Sequence, residues 1–111
     1  MGIRSVPRDA PARLSDLVSA RPGTVASRSL TRGAPASMTL LAFSAGESVS
    51  EEAYGDDVMY LVVEGSAVVS LPAGEVELDC GETIAVDAGV LHAVRGATSG
   101  EGFKILQISM P

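Results

Sequence analysis

The chain has 111 residues, a length that fits a single domain with one hydrophobic core. Its net charge of −6 and isoelectric point of about 4.6 argue against nucleic-acid binding, which needs clustered Lys and Arg. The longest apolar run, Val58 to Val63, is far too short to span a bilayer. We therefore expect neither a nucleic-acid partner nor a membrane partner.

Cysteine content and hydropathy predict the compartment and the assembly. Cys80 is the only cysteine, so no internal disulfide can form and a reducing compartment is expected. No N-terminal apolar run resembles a signal peptide, and we expect a cytoplasmic protein. Hydrophobic residues make up 46% of the chain and mean hydropathy is +0.28, which is high for so small a domain. A homodimer interface is the simplest place for the excess apolar surface.

The first part of the chain, residues 1–23, is predicted to be an N-terminal arm. Residues 1–13 carry Pro7, Pro11 and several charges, so we expect them to be irregular or mobile. The segment from Leu14 to Val18 is expected to form one short helical turn, which Pro22 and Gly23 end.

The remainder, residues 24–111, has the pattern of a β-barrel domain. Short runs rich in β-branched residues, bounded by Gly and Pro, predict strands at 24–30, 38–44, 58–64, 67–71, 75–79, 83–86, 91–95 and 103–110. Many short strands without a long helix indicate a β-sandwich or barrel. The strand at 24–30, together with the arm, is the candidate dimer contact, because an edge strand exposes unpaired N–H and C=O groups.

The glycine spacing in the second half of the chain is the most specific signal. Gly81 and Gly89 stand eight residues apart, and His92, the only histidine, follows three residues later. Gly46 and Gly65 bracket an earlier segment. These spacings resemble the two motifs of the cupins over about residues 38–110, with Asp87 in place of the usual proline. The resemblance implies an all-β fold, an antiparallel double-sheet jelly-roll barrel of the RmlC-like type.

The same resemblance implies a metal site from which most ligands are missing. Of the four usual ligands only His92 remains. Glu52 stands at the first histidine position, Tyr54 at the second, and Val58 at the glutamate position. The chain is more similar to small stand-alone cupins that keep a Ser-Glu-His run and then a buried Asp. Here the run is Ser50-Glu51-Glu52, followed by Asp57.

These substitutions define the candidate site. Fe, Mn, Ni and Zn need three or four ligands, so we expect no cofactor; a divalent transition metal, if present, would be held by His92 and Glu52, with Tyr54 as a weak third ligand. The cupin register implies that His92 points into the barrel with Glu52 or Tyr54 as its nearest polar side chain. Asp57 is a candidate ligand-binding residue, or an anchor that accepts backbone N–H bonds in a turn.

The function that this site predicts is the binding of a small polar or carboxylated molecule in the barrel, without clear catalysis. One alternative is a cupin-type metal-dependent oxygenase, isomerase or decarboxylase with an incomplete ligand shell. Another is a metal-free isomerase or epimerase that uses Glu52 and His92 as an acid–base pair. A structural or regulatory subunit with a closed pocket is the third. Fold alone decides none of these, because one barrel hosts unrelated functions.

Overall fold

Short strands account for nearly all of the regular structure. A computed structural model describes residues 2–97 and 100–111 of the chain. A single turn of 3₁₀-helix covers Leu14–Leu17, and the strands are β1 (Gly2–Ile3), β2 (Val25–Ser29), β3 (Thr31–Arg32), β4 (Ser37–Phe43), β5 (Ser48–Glu52), β6 (Asp57–Glu64), β7 (Ser66–Leu71), β8 (Gly74–Asp79), β9 (Thr83–Val86), β10 (His92–Gly96) and β11 (Phe103–Met110). Within these residues, no helix has the length and apolar character needed to cross a membrane.

Two antiparallel sheets form the barrel. The larger sheet has the order β2-β4-β11-β6-β9 and the smaller one has the order β5-β10-β7-β8. Strands β1 and β3 form a separate two-stranded ribbon. One hydrophobic core joins the inner faces of the two larger sheets, since its buried residues come from both. The predicted antiparallel double-sheet jelly-roll barrel is therefore confirmed.

Side-chain alternation decides which residues fill the core. On β6, Val58, Tyr60 and Val62 are buried, whereas the residues between them are partly exposed. This period of two is that of a strand with one face on the core. Phe43 and Phe103, cross-strand partners on β4 and β11, stack with ring centroids 4.4 Å apart and fill one end of the barrel.

The glycines of the two motifs have a backbone reason to be glycine. Gly46, Gly65, Gly81 and Gly89 all have φ between 73° and 90°, a region that L side chains rarely adopt. At Gly65 a Cβ atom would also lie 3.0 Å from a backbone oxygen. The spacing of these glycines is thus the spacing of the tight turns between strands, which explains why it predicts the fold.

The N-terminal arm packs on its own barrel. Its apolar residues cover the outer face of the five-stranded sheet, in an outer cluster whose buried members are Val18, Leu30, Leu40, Ala42 and Leu106. Two hydrogen bonds fix the arm: the Lys104 ammonium donates to the Ser15 carbonyl at 2.6 Å, and the Arg28 guanidinium donates to the Leu17 carbonyl at 2.8 Å. The short helical turn predicted from Leu14 is confirmed as a 3₁₀-helix.

Three strands escaped prediction. The expectation that residues 1–13 are irregular is wrong at Gly2–Ile3, which pairs with Thr31–Arg32. Strand β5 was also missed, since Ser48–Glu52 contains a single hydrophobic residue and so lacks an alternating signal. It lies at a sheet edge, where one strand face and one backbone edge meet water and polar residues are tolerated.

Candidate functional site

His92 is a polar residue that the fold buries. It begins β10 and is 3% exposed, and among residues 2–97 and 100–111 only Tyr60 is another buried residue with a polar side-chain atom. The core around it is aliphatic and aromatic. Burying an imidazole in such surroundings is costly unless both ring nitrogens find partners.

Both nitrogens do find partners, and these fix the tautomer. Nδ1 lies 2.9 Å from the carbonyl oxygen of Val90, which can only accept a hydrogen bond, so Nδ1 carries the proton. In the neutral ring Nε2 then has the free lone pair. The Tyr60 hydroxyl lies 2.7 Å from Nε2 and donates to it. The two contacts thereby hold the ring in one orientation and, in its neutral form, in one tautomer.

Tyr60 is the nearest polar side chain to His92, which corrects the expectation of Glu52 or Tyr54. Tyr60 is 3% exposed on β6, in the sheet opposite His92, and its ring meets the imidazole edge-on with centroids 5.6 Å apart. Burial, then the neighbouring Tyr54 hydroxyl and the Glu52 charge, raise the pKa of Tyr60 well above its usual value. Tyr60 is therefore a hydrogen-bond donor at any physiological pH.

A bulge on β5 brings Glu52 onto the inner face beside His92. The two residues are cross-strand partners, as are Val49 and Val94, so the pairing advances three residues on β5 for two on β10. That extra residue is a β-bulge, which resets the alternation of the strand. Without the bulge, Glu51 would be the partner of His92 and would face inward. With the bulge, Glu52 faces inward, and Glu51 lines a separate surface groove with Leu91.

Tyr54 connects the carboxylate to the buried pair. Its ring centroid lies 5.6 Å from that of His92, and its side chain packs against the inner core. Burial, followed by the hydrogen bond and negative charge of Glu52, raises the pKa of the Tyr54 hydroxyl. The structure thus brings together three of the residues predicted from the sequence, His92, Glu52 and Tyr54. Tyr60, which was not predicted, lies in the same group.

Asp57 is placed differently. Its side chain is exposed, and Oδ1 accepts a hydrogen bond of 2.8 Å from the backbone N–H of Ala88. The neighbouring Gly89 N–H donates to the carbonyl of Tyr54 at 2.8 Å. The structure therefore favours the turn-anchoring interpretation of Asp57 over a role as a ligand-binding residue.

The donor set does not fit the metal that the fold family implies. Both His92 nitrogens are already hydrogen-bonded, and Glu52 is the carboxylate paired with it across the strands. Within the described residues no group of three or more His, Cys, Asp and Glu side chains is arranged to hold a metal ion. Transition metals need more ligands than these two residues supply. That no cofactor binds remains a prediction.

Two residues of this interior were not singled out from the sequence. Tyr60 was hidden inside an apolar strand, and Gln107 could not be assigned to a face. Gln107 is the cross-strand partner of Tyr60 and so shares its inner face. The available signal was periodicity, since Tyr60 stands two residues from Val58 and Val62 on the buried face.

Two facing antiparallel sheets with a polar site at one end define the class of double-sheet β-barrels. A cupin superfamily protein from Desulfitobacterium hafniense is 33% identical over 99% of this chain and 98% of its own, with a TM-score of 0.92. The chain therefore belongs to the cupin superfamily.

More distant solved structures share the same fold. A cupin 2 conserved barrel domain protein from Leptotrichia buccalis is 26% identical, with a TM-score of 0.79, over 88% of this chain and 46% of its own. An RmlC-like cupin with a double-stranded β-helix fold from Methanocaldococcus jannaschii is 13% identical, with a TM-score of 0.70, over 79% of this chain and 81% of its own. No family model and no curated protein sequence matched the chain.

Proposed function

We propose that this cupin binds a small polar molecule without a negative charge at the end of its barrel, through Glu52, Tyr54 and the Tyr60–His92 pair. The observation that carries the proposal is the buried hydrogen bond between Tyr60 and His92 inside an otherwise apolar core. A few convergent polar groups among apolar side chains are the usual make-up of a small-molecule site.

The burial gradient supports a direction of approach. Tyr60 and His92 are buried, Tyr54 is half-buried and Glu52 is exposed. A ligand that enters from the exposed side meets the Glu52 carboxylate and the Tyr54 hydroxyl first. The deeper pair can then offer the ligand the Tyr60 oxygen as an acceptor, because both imidazole nitrogens and the Tyr60 proton are already hydrogen-bonded.

Charge favours a polar ligand over a carboxylated one. The Glu52 carboxylate accepts hydrogen bonds but repels an anion, and both tyrosine hydroxyls stay protonated because their pKa values are raised. The basic side chains of Arg95 and Lys104 pair with Glu75 and Glu64 instead. Hydroxyl or amine donors on the ligand would satisfy Glu52 best.

Intrinsic tyrosine fluorescence gives a direct test. The protein has two tyrosines and no tryptophan, and both tyrosines line this site. We would titrate the full chain with a panel of monosaccharides, polyols, amino alcohols and small carboxylates. The proposal expects saturable change with a member of the uncharged or amine classes, and a weaker response from the Glu52→Gln variant.

Glu51→Gln is the matched control, because the bulge turns this neighbouring carboxylate to the other face. It should bind like the native protein. A panel without any saturable response, or equal weakening in both variants, would contradict the proposal.

An acid–base isomerase or epimerase without metal is the second candidate. It is favoured by one observation, the cross-strand pairing of Glu52 with His92 next to two protonated tyrosines. Incubating the same panel with the protein in D₂O and recording ¹H spectra would detect it, since isomerisation through proton transfer to carbon incorporates deuterium. If no compound of the panel incorporates deuterium, the isomerase candidate is removed and ligand binding remains the proposed function.

A further inference from the structure

Charge is strongly segregated along this chain. Residues 1–36 contain six of the eight basic residues and only two acidic ones, Asp9 and Asp16, for a net charge of +4. Residues 37–111 contain two basic and twelve acidic residues, for a net charge of −10. An acidic protein therefore carries a basic region in its sequence, made up mainly of the arm, β2 and β3.

Only one arginine of this region is seen to fasten the arm to the barrel. The arm is attached by the outer hydrophobic cluster and by two hydrogen bonds, from Lys104 to the Ser15 carbonyl and from Arg28 to the Leu17 carbonyl. The ion pairs that the described residues form are Arg95 with Glu75 at 3.0 Å and Lys104 with Glu64 at 3.5 Å. No arginine of residues 1–36 takes part in either, so among the described residues no carboxylate neutralises Arg4 or Arg32.

Two arginines of the basic region, Arg4 and Arg32, line one cleft. Strand β1 pairs with β3 so that Gly2 lies opposite Arg32, and the N–H of Arg4 donates to the Leu30 carbonyl at 2.8 Å. These backbone bonds fix Arg4 and Arg32 on the walls of a cleft of about 250 Å³, whose other walls are Gly2 and Ile3. The side chain of Arg8 donates to the Ile3 carbonyl and adds a third guanidinium beside the cleft.

We propose that this cleft binds the phosphate group of a small phosphorylated molecule. Guanidinium groups present planar, bidentate donors that match phosphate oxygens, and charge-assisted bonds of this kind are the strong ones. A phosphate monoester carries a charge between about −1.5 and −2 at neutral pH, enough to meet two arginines.

The rest of the molecule restricts the ligand to a compact anion. A nucleic acid or an anionic membrane would extend over the surface and meet the field of the remaining chain, with its net charge of −10. A small phosphate ester makes only local contacts and avoids that repulsion. The cleft volume also admits one phosphate group with a modest substituent rather than a large ligand.

Calorimetric titration of the full-length protein at constant ionic strength tests this proposal. The probes are inorganic phosphate and glycerol 3-phosphate. We expect saturable binding of the ester, and Arg4→Gln and Arg32→Gln should each weaken it about tenfold or more, as loss of a charge-assisted hydrogen bond does. Weaker binding of inorganic phosphate would show that the substituent is recognised too; equal binding of both probes would assign the site to the phosphate group alone.

Arg21→Gln is the matched control, since Arg21 is an exposed arginine of the same region outside the cleft. It should bind the ester like the native protein. Absence of binding by either probe at millimolar concentration would overturn the proposal. Equal weakening by Arg21→Gln would also overturn it, because it would show diffuse attraction to the basic region. Circular dichroism of each variant checks that the fold is retained.

Discussion

The hydroxyl of Tyr60 lies 2.7 Å from Nε2 of His92, and this hydrogen bond joins the inner faces of the two sheets. Tyr60 belongs to β6 in the larger sheet and His92 to β10 in the smaller one. Since Nδ1 donates to the Val90 carbonyl, Nε2 of the neutral ring accepts this bond from the tyrosine. The pair therefore ties the barrel together and sets the chemistry of its polar end.

Replacing Tyr60 by phenylalanine should destabilise the fold. The Tyr60→Phe variant leaves Nε2 of a 3%-exposed histidine without its partner, which costs about 1–3 kcal/mol. Urea denaturation followed by circular dichroism measures the free energy of unfolding. Tyr54→Phe is the control, and because Tyr54 is only half-buried its cost should be smaller. A Tyr60→Phe variant as stable as the native protein would show that the hydrogen bond contributes nothing.

Alkaline titration should show that both tyrosines resist ionisation. A free tyrosine is half ionised near pH 10, whereas burial and the Glu52 carboxylate raise both pKa values here. The folded state then keeps protons that the unfolded chain releases, so stability is lost as pH rises above about 10. Absorbance at the tyrosinate band reports these two residues alone. Two normal midpoints in the folded protein would refute the assigned environment.

The outer cluster should be as important as the inner core. Leu30 is 2% exposed beneath the arm, and Leu30→Ala should lower the free energy of unfolding by about 2–5 kcal/mol. Leu91→Ala is the matched control, since Leu91 is 47% exposed, and it should change stability by no more than about 0.5 kcal/mol. Similar melting temperatures for the two variants would indicate that the arm is not docked in solution.

We also propose that the protein is a homodimer that pairs through the edge strand β2. Val25 on this strand is 40% exposed, and β2 is an end strand of the five-stranded sheet. Val25→Lys should convert a dimer to a monomer in light scattering. Val76→Lys, at 37% exposure on the edge strand β8, should remain dimeric. A native protein that is monomeric at micromolar concentration would remove this proposal. An obligate dimer of this kind would bury on the order of 2,000 Å² in total.

The fold was predictable because its turns require glycine. The motif glycines adopt positive φ, so their spacing in the sequence records the strand lengths between turns. The arm packing was less visible, because Val18 and Leu30 lie in segments without regular alternation. Strand β5 could not be predicted from the sequence, because its only hydrophobic residue is Val49 and no alternating pattern results.

The site was predictable in part. The cupin register brought out His92, Glu52 and Tyr54, and the structure brings these three together. Tyr60 was missed because an aromatic residue in an apolar strand is indistinguishable from core until its hydroxyl has a partner. The bulge that selects Glu52 over Glu51 is a property of strand pairing, which a single sequence does not display.

The tautomer of His92 tests the central claim most directly. The protein has one histidine, so a long-range ¹H–¹⁵N spectrum at neutral pH contains one imidazole spin system. For the neutral ring, the Tyr60 and Val90 contacts predict a proton on Nδ1 and Nε2 as a hydrogen-bonded acceptor. A neutral ring protonated on Nε2, or one averaging rapidly between tautomers, would contradict the fixed Tyr60–His92 hydrogen bond on which the proposed binding site depends.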